Sequence, residues 1–192
     1  MMTEILISWR HRRHQILEYL VSDKVVYSLE STQNDASNGV LALSEFEKST
    51  KAYASKYGYV LTTLAASALF VFGLGAQTGK YRRAAGVPYP YAYADKAEAE
   101  KDANKNLFNC AQRVHQNTLE IFPVYSTFLL IGGIRHPIAA SVSGGVWILG
   151  RFFFSSGYLT GDPSKRMRGV FAYIAMLGLL GMTGSTLYRL LQ

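Results

Sequence analysis

The sequence predicts an all-α protein: a four-transmembrane-helix bundle behind a mostly irregular N-terminal extension. Three observations carry this. No charged residue occurs in residues 57–79 or 169–188, and each run supplies the roughly 20 apolar residues that a bilayer core requires. Two shorter uncharged runs, 121–134 and 137–150, also span when extended back through Glu120 and onward through Arg151 into FFFSSGYLT. The chain is 49% hydrophobic and lacks the period-2 alternation of a β-barrel. At 192 residues it is too small to bury four such helices on all sides, which argues against a soluble core.

Residues 1–50 form the extension. They hold the basic cluster RHRRH at 10–14, the polar stretch STQNDASNG, and an apolar piece broken by Glu18, Asp23 and Lys24. The h-region and cleavage site of a signal peptide are missing, and Glu4 and Glu18 oppose a mitochondrial presequence. His11 and His14 have a metal-ligand spacing, but the flanking arginines repel a cation.

The membrane domain covers 51–192, with helices expected at about 52–78, 106–134, 138–161 and 163–191. After helix one, Pro88 and Pro90 favour an extended chain. Residues 95–105, rich in Ala, Lys and Glu, suit a surface helical turn. Pro123 falls inside helix two, which a membrane helix tolerates when neighbours satisfy the freed carbonyl. His136 and Pro137 make the corner into helix three. Asp162 reads as the N-cap and Pro163 as the first residue of helix four. Gly181 and Ser185 on that helix form a small-xxx-small pair that permits close helix approach.

The net charge is +7, and its placement is informative. Lys80, Arg82, Arg83, Lys96, Lys101 and Lys105 follow helix one, and Lys165, Arg166 and Arg168 precede helix four. Four antiparallel spans put both groups on one side, which the positive-inside rule makes cytosolic. No basic patch is interleaved with aromatics as a nucleic-acid surface would be. A single cysteine, Cys110, excludes a disulfide framework and a thiolate metal centre.

Against this background the segment RVHQNTLEIFP stands out. Arg113, Asn117 and Glu120 share one helix face at 3.6 residues per turn. A charged side chain near the centre of a membrane helix costs about 2.5–3.5 kcal/mol, so the default reading is functional. Arg151 and Tyr158 on helix three, Lys165 and Arg166 at the start of helix four, and Arg82 and Arg83 at the end of helix one fall at the same cytosolic level. A matching ligand is small and anionic, carries an amine for the lone carboxylate, and leaves room for a lipid tail. Arginine offers a planar fork for carboxylates, and asparagine both donates and accepts. The competing interpretations are arginines snorkelling to headgroups, a structural Arg113–Glu120 pair, and Tyr158 in an aromatic belt.

FNCAQRVHQNTLEIFP, GVWILGR and GYLTGDPSKRMRG together resemble the MAPEG family of membrane glutathione-handling proteins, and most closely its microsomal glutathione transferase type-three branch. The resemblance runs from about Lys56 to Leu191. It implies a homotrimer in the endoplasmic reticulum membrane, with the nuclear envelope and the mitochondrial outer membrane as alternatives. Glutathione would enter as co-substrate between subunits, with no metal. Arg82, Arg113, His115, Asn117, Glu120, Arg151 and Tyr158 would bind it, and Arg166 and Arg83 would be catalytic. Arg166 would stabilise the thiolate, with Lys165 and Arg168 as alternatives because this loop is one residue longer than in leukotriene C synthase. Phe154 stands where relatives have tyrosine, and Gly86 where a basic residue is common.

The implied activity is a glutathione transferase and peroxidase acting on lipophilic electrophiles or lipid hydroperoxides. A free thiol has a pKa of about 8.5, and the thiolate is the nucleophile. A neighbouring guanidinium that lowers this value by about two contributes about 2.7 kcal/mol. If Asp162 caps helix four, Arg166 also lies where the helix dipole favours an anion. The alternatives are a non-catalytic lipid-binding scaffold of the same family and a protein whose polar face only joins subunits.

Overall fold

The computed structural model describes residues 36–192. The basic cluster at 10–14, His11, His14 and most of the expected extension lie outside the described residues. The elements in order are α1 (Ala36–Ala85), α2 (Lys96–Ala99), α3 (Ala103–Arg135), α4 (Pro137–Tyr158), a 3-10 segment (Pro163–Gly169) and α5 (Ala172–Leu190). No strand occurs among the described residues, so the all-α expectation holds. Three helices are long and apolar enough to cross a membrane, and a fourth span results if the 3-10 segment and α5, bent by 45°, count as one.

Helix α1 begins at Ala36 and not at 52, inside the stretch assigned to the extension. The reason is local: LALSEFEKSTKAYASK is rich in helix formers, and the pairs Lys48–Glu45 (2.8 Å) and Lys51–Glu47 (2.7 Å) brace successive turns. It also continues past 78, carrying Arg82 and Arg83 in its last turn, where cations complement the helix dipole. Gly86 then adopts φ +63°, and its N–H donates to the Arg83 carbonyl (3.3 Å). The glycine that departs from the family's basic residue therefore ends the helix, in a conformation that disfavours a side chain.

Residues 36–58 and Tyr188–Gln192 group separately from Tyr59–Leu187, which forms one compact unit containing every residue discussed below. Within that unit, absent side chains set the helix contacts. A Cβ on Gly133 would meet Val60 of α1 at 2.8 Å, and one on Gly144 would meet Thr63 at 2.6 Å and the Tyr125 hydroxyl at 3.0 Å. Tyr125 of α3 and Trp147 of α4, both fully buried, stack with centroids 3.8 Å apart. Gly132 lies against α5 at Met182, and Thr183 donates to the Phe128 carbonyl (3.1 Å). Of the expected Gly181–Ser185 pair, Gly181 has no atom within 4 Å of a Cβ position among the described residues, whereas Ser185 Oγ lies 3.2 Å from His136 Nε2 at the α3–α4 corner. The tight approaches run through α3 and α4 instead.

Two expectations for the chain after α4 need correction. Helix three stops at Tyr158 and not at 161, because the chain turns through Gly161 at φ +80°, whose carbonyl accepts from Asn106 Nδ2 (3.1 Å). Asp162 does act as an N-cap, accepting from the Ser164 N–H (3.0 Å) and hydroxyl (2.7 Å), but the capped element is the 3-10 segment and not a transmembrane α-helix. Those two bonds hold the Asp162 carboxyl below its ordinary range. The segment is pinned to α4 by backbone contact: Gly157 faces the Lys165 carbonyl, and Gly169 faces the Gly150 carbonyl. The other expectations fare differently. Helix two is lengthened to Ala103–Arg135 with Asp102 as N-cap, and the short α2 appears within 95–105, capped by Asp95.

Candidate functional site

The site is built on the first half of α3. Arg113 and Glu120, two turns apart on one face, meet with Nη1 3.2 Å from Oε1, and their side chains are 43% and 48% exposed. Asn117 lies between them on that face. Its Oδ1 accepts from Arg151 Nη2 of α4 at 3.0 Å, and the same nitrogen donates to Thr118 Oγ1 at 2.6 Å. Arg151 is only 2% exposed. Its guanidinium lies 4.1 Å over the Phe154 ring, which packs in turn on Tyr158, with centroids 5.1 Å apart. Tyr158 is buried with Leu74, Cys110 and Val114. Four of the predicted residues, Arg113, Asn117, Glu120 and Arg151, thus form one arrangement, with Tyr158 one ring away.

A second wall comes from the chain after α1. Arg82 donates from Nη1 to the Tyr91 carbonyl (2.6 Å) and sits between the rings of Tyr89 and Phe108. Asn109 grips the same stretch from α3, accepting from the Ala94 N–H (2.8 Å) and donating to its carbonyl (3.1 Å). These anchors bring the Tyr93 hydroxyl to Gln116 Oε1 (2.5 Å). Burial pushes the Tyr93 phenol above its ordinary value, while the nearby Arg113 guanidinium pulls it back.

The MAPEG family model matches residues 60–188, more than half of the chain, and every residue of this arrangement falls within the match. The chain belongs to the MAPEG family. It is accordingly a membrane protein of the family that includes glutathione transferases and peroxidases.

Four of the residues predicted from sequence, His115, Arg82, Arg83 and Arg166, lie outside the arrangement. His115 turns away from Arg113 and packs on α1, 3.2 Å from where a Cβ of Gly75 would stand. Arg82 is engaged by the Tyr91 carbonyl and so holds the wall. Arg83 and Arg166 are at least partly exposed, and among the described residues no hydrogen bond or ion pair links either to Arg113 or Glu120. Lys165, an alternative to Arg166, pairs with Asp162 (3.7 Å), whereas Arg166 and Arg168 are exposed and make no such pair among the described residues. Around the arrangement stand residues that the sequence did not single out. Thr118 is fully buried, and Tyr93, Gln116 and Asn109 lie in or beside the motif. The available signal for Thr118 was a hydroxyl on the core side of an otherwise apolar face. For Tyr93 there was none, because its place depends on the fold of the loop.

Proposed function

We propose that this protein is a membrane-bound glutathione transferase with glutathione-dependent peroxidase activity on lipophilic substrates, of the type-three microsomal branch. The observation that carries this reading is the half-open Arg113–Glu120 pair with the Asn117 amide between its members. Glutathione has separated carboxylates and one amine. A carboxylate suits the Arg113 fork, and the amine suits Glu120. The family match over the same residues supports the assignment.

Chemistry then requires a cation near the sulfur. Arg166 is the proposed thiolate partner, with Arg83 assisting, and the placement of Arg166 on a capped 3-10 segment gives it a fixed backbone. Stabilising the thiolate raises the fraction of nucleophile at neutral pH. In conjugation the sulfur lone pair forms an S–C bond, and the electrophile's leaving group or opened epoxide oxygen takes the electrons. In peroxide reduction the thiolate attacks one oxygen, the O–O bond breaks, and the alcohol leaves after protonation. A second glutathione condenses with the resulting sulfenic acid to give the disulfide and water.

A homotrimer with glutathione between subunits would bring Arg82, with Arg83 beside it, from helix one of one chain to the site of the next, and the endoplasmic reticulum is the proposed site. The deciding experiment is a glutathione titration of the purified protein in detergent. Wild type should bind in the micromolar-to-millimolar range, and Arg113→Ala should lose about tenfold or more, as expected for a charge-assisted hydrogen bond. Unchanged affinity in Arg113→Ala removes the pocket. Lipid binding without turnover replaces the enzyme with a scaffold.

A further inference from the structure

Arg151 is placed where direct contact with a ligand does not explain it. Its side chain is 2% exposed, and among the described residues no carboxylate pairs with it. A guanidinium withdrawn from water without a counter-charge is costly, so what it organises matters. Nη2 directs its two N–H groups to Asn117 Oδ1 (3.0 Å) and Thr118 Oγ1 (2.6 Å). Thr118 donates its own proton to the Val114 carbonyl (2.7 Å), which leaves the hydroxyl oxygen turned toward Arg151 as an acceptor. The Phe154 ring closes one face of the guanidinium at 4.1 Å.

The consequence falls on Asn117. A guanidinium only donates, so the amide atom facing it must be the oxygen. The amide nitrogen is then directed away from Arg151, and among the described residues it makes no hydrogen bond. Asn117 shares its helix face with Arg113 and Glu120, between the two charged groups.

We propose that Arg151 is a positioning residue: it fixes the Asn117 side chain so that Nδ2 is offered as a donor to a carbonyl or carboxylate oxygen of bound glutathione. This rests on the function proposed above and replaces the contact role assigned to Arg151 from sequence. An unrestrained asparagine accepts as readily as it donates. The locked one selects for an acceptor on the ligand.

The test is a double-mutant cycle in the full-length protein, with glutathione affinity measured by titration and KM and kcat measured alongside. Asn117→Ala and Arg151→Met should each weaken binding about tenfold, and the double variant should be no weaker than either single one. The loss should appear in KM for glutathione and much less in kcat. Asn117→Asp keeps an acceptor for Arg151 but offers no donor, so it should fold and bind at least as weakly as Asn117→Ala. A folded Arg151→Met with wild-type affinity, or one whose effect persists undiminished on the Asn117→Ala background, overturns the inference. If Arg151→Met does not fold, Asn117→Asp decides, and unchanged affinity there overturns it. Absence of glutathione binding by wild type defeats the proposed function and this inference together. Binding by wild type with additive effects defeats this inference alone.

Discussion

Arg113 and Glu120 meet at 3.2 Å with roughly half of each side chain still open. An exposed pair of this kind contributes about 0–1 kcal/mol to stability, so its weight in the fold is small. Under the proposed function, each partner is taken over by a ligand group of opposite charge. Glu120→Gln should therefore leave the thermal midpoint in detergent nearly unchanged while weakening glutathione binding by about tenfold. With a glutathione analogue lacking the α-amine, wild type and Glu120→Gln should bind alike, and a persisting difference would separate Glu120 from the amine. The Arg113–Asn117–Glu120 face was legible in the sequence because helical geometry alone fixes which residues three and four apart are neighbours. The role of Arg151 was not. Its position on helix three does not say whether it faces the core, and the structure turns it inward to Thr118. Tyr93 was illegible for a related reason, since Arg82 and Asn109 bring it into place across the fold.

At the scale of elements, glycines decide how closely α1, α3 and α4 approach. Gly144 and Gly145 are adjacent on α4 and make a matched pair. A methyl group at Gly144 would stand 2.6 Å from Thr63 and 3.0 Å from the Tyr125 hydroxyl, whereas one at Gly145 meets nothing within 4 Å. Gly144→Ala should destabilise the protein by about 1–3 kcal/mol through overpacking. Gly145→Ala should be neutral or stabilising by up to about 1 kcal/mol, since alanine is the better helix former. Thermal unfolding in one detergent measures both, and equal midpoints would show that the α1–α4 contact yields freely. The start signal at Asp162–Pro163 was readable, but the element it starts was not. Whether a capped segment winds as α or 3-10 depends here on Gly157 and Gly169 meeting backbone across the fold, which the local sequence does not encode.

Across the whole molecule, large apolar side chains face outward on the spanning helices, among them Leu69, Phe72, Ile174 and Leu177. In water such surfaces drive aggregation, whereas in a bilayer or between subunits they are in their proper solvent. This overall character was the easiest part to predict, because uncharged runs of that length have few other uses. The single cysteine belongs at this scale too. Cys110 is 4% exposed and packed with Leu74, Val114 and Tyr158. Maleimide labelling of the folded protein should run about a hundredfold or more slower than after denaturation, since it must wait for the helices to open. Fast labelling of the folded protein would mean that this cluster is loose.

That burial has a chemical consequence for the proposed activity. An enzyme that makes oxidised glutathione beside a peroxide works where accessible thiols are captured as mixed disulfides or burnt to sulfinic acid. With its only sulfhydryl buried against Leu74, Val114 and Tyr158, and facing Asn106 Oδ1 at 4.0 Å, this chain offers no ready thiol for such capture, so disulfide exchange with the surrounding pool would leave it untouched.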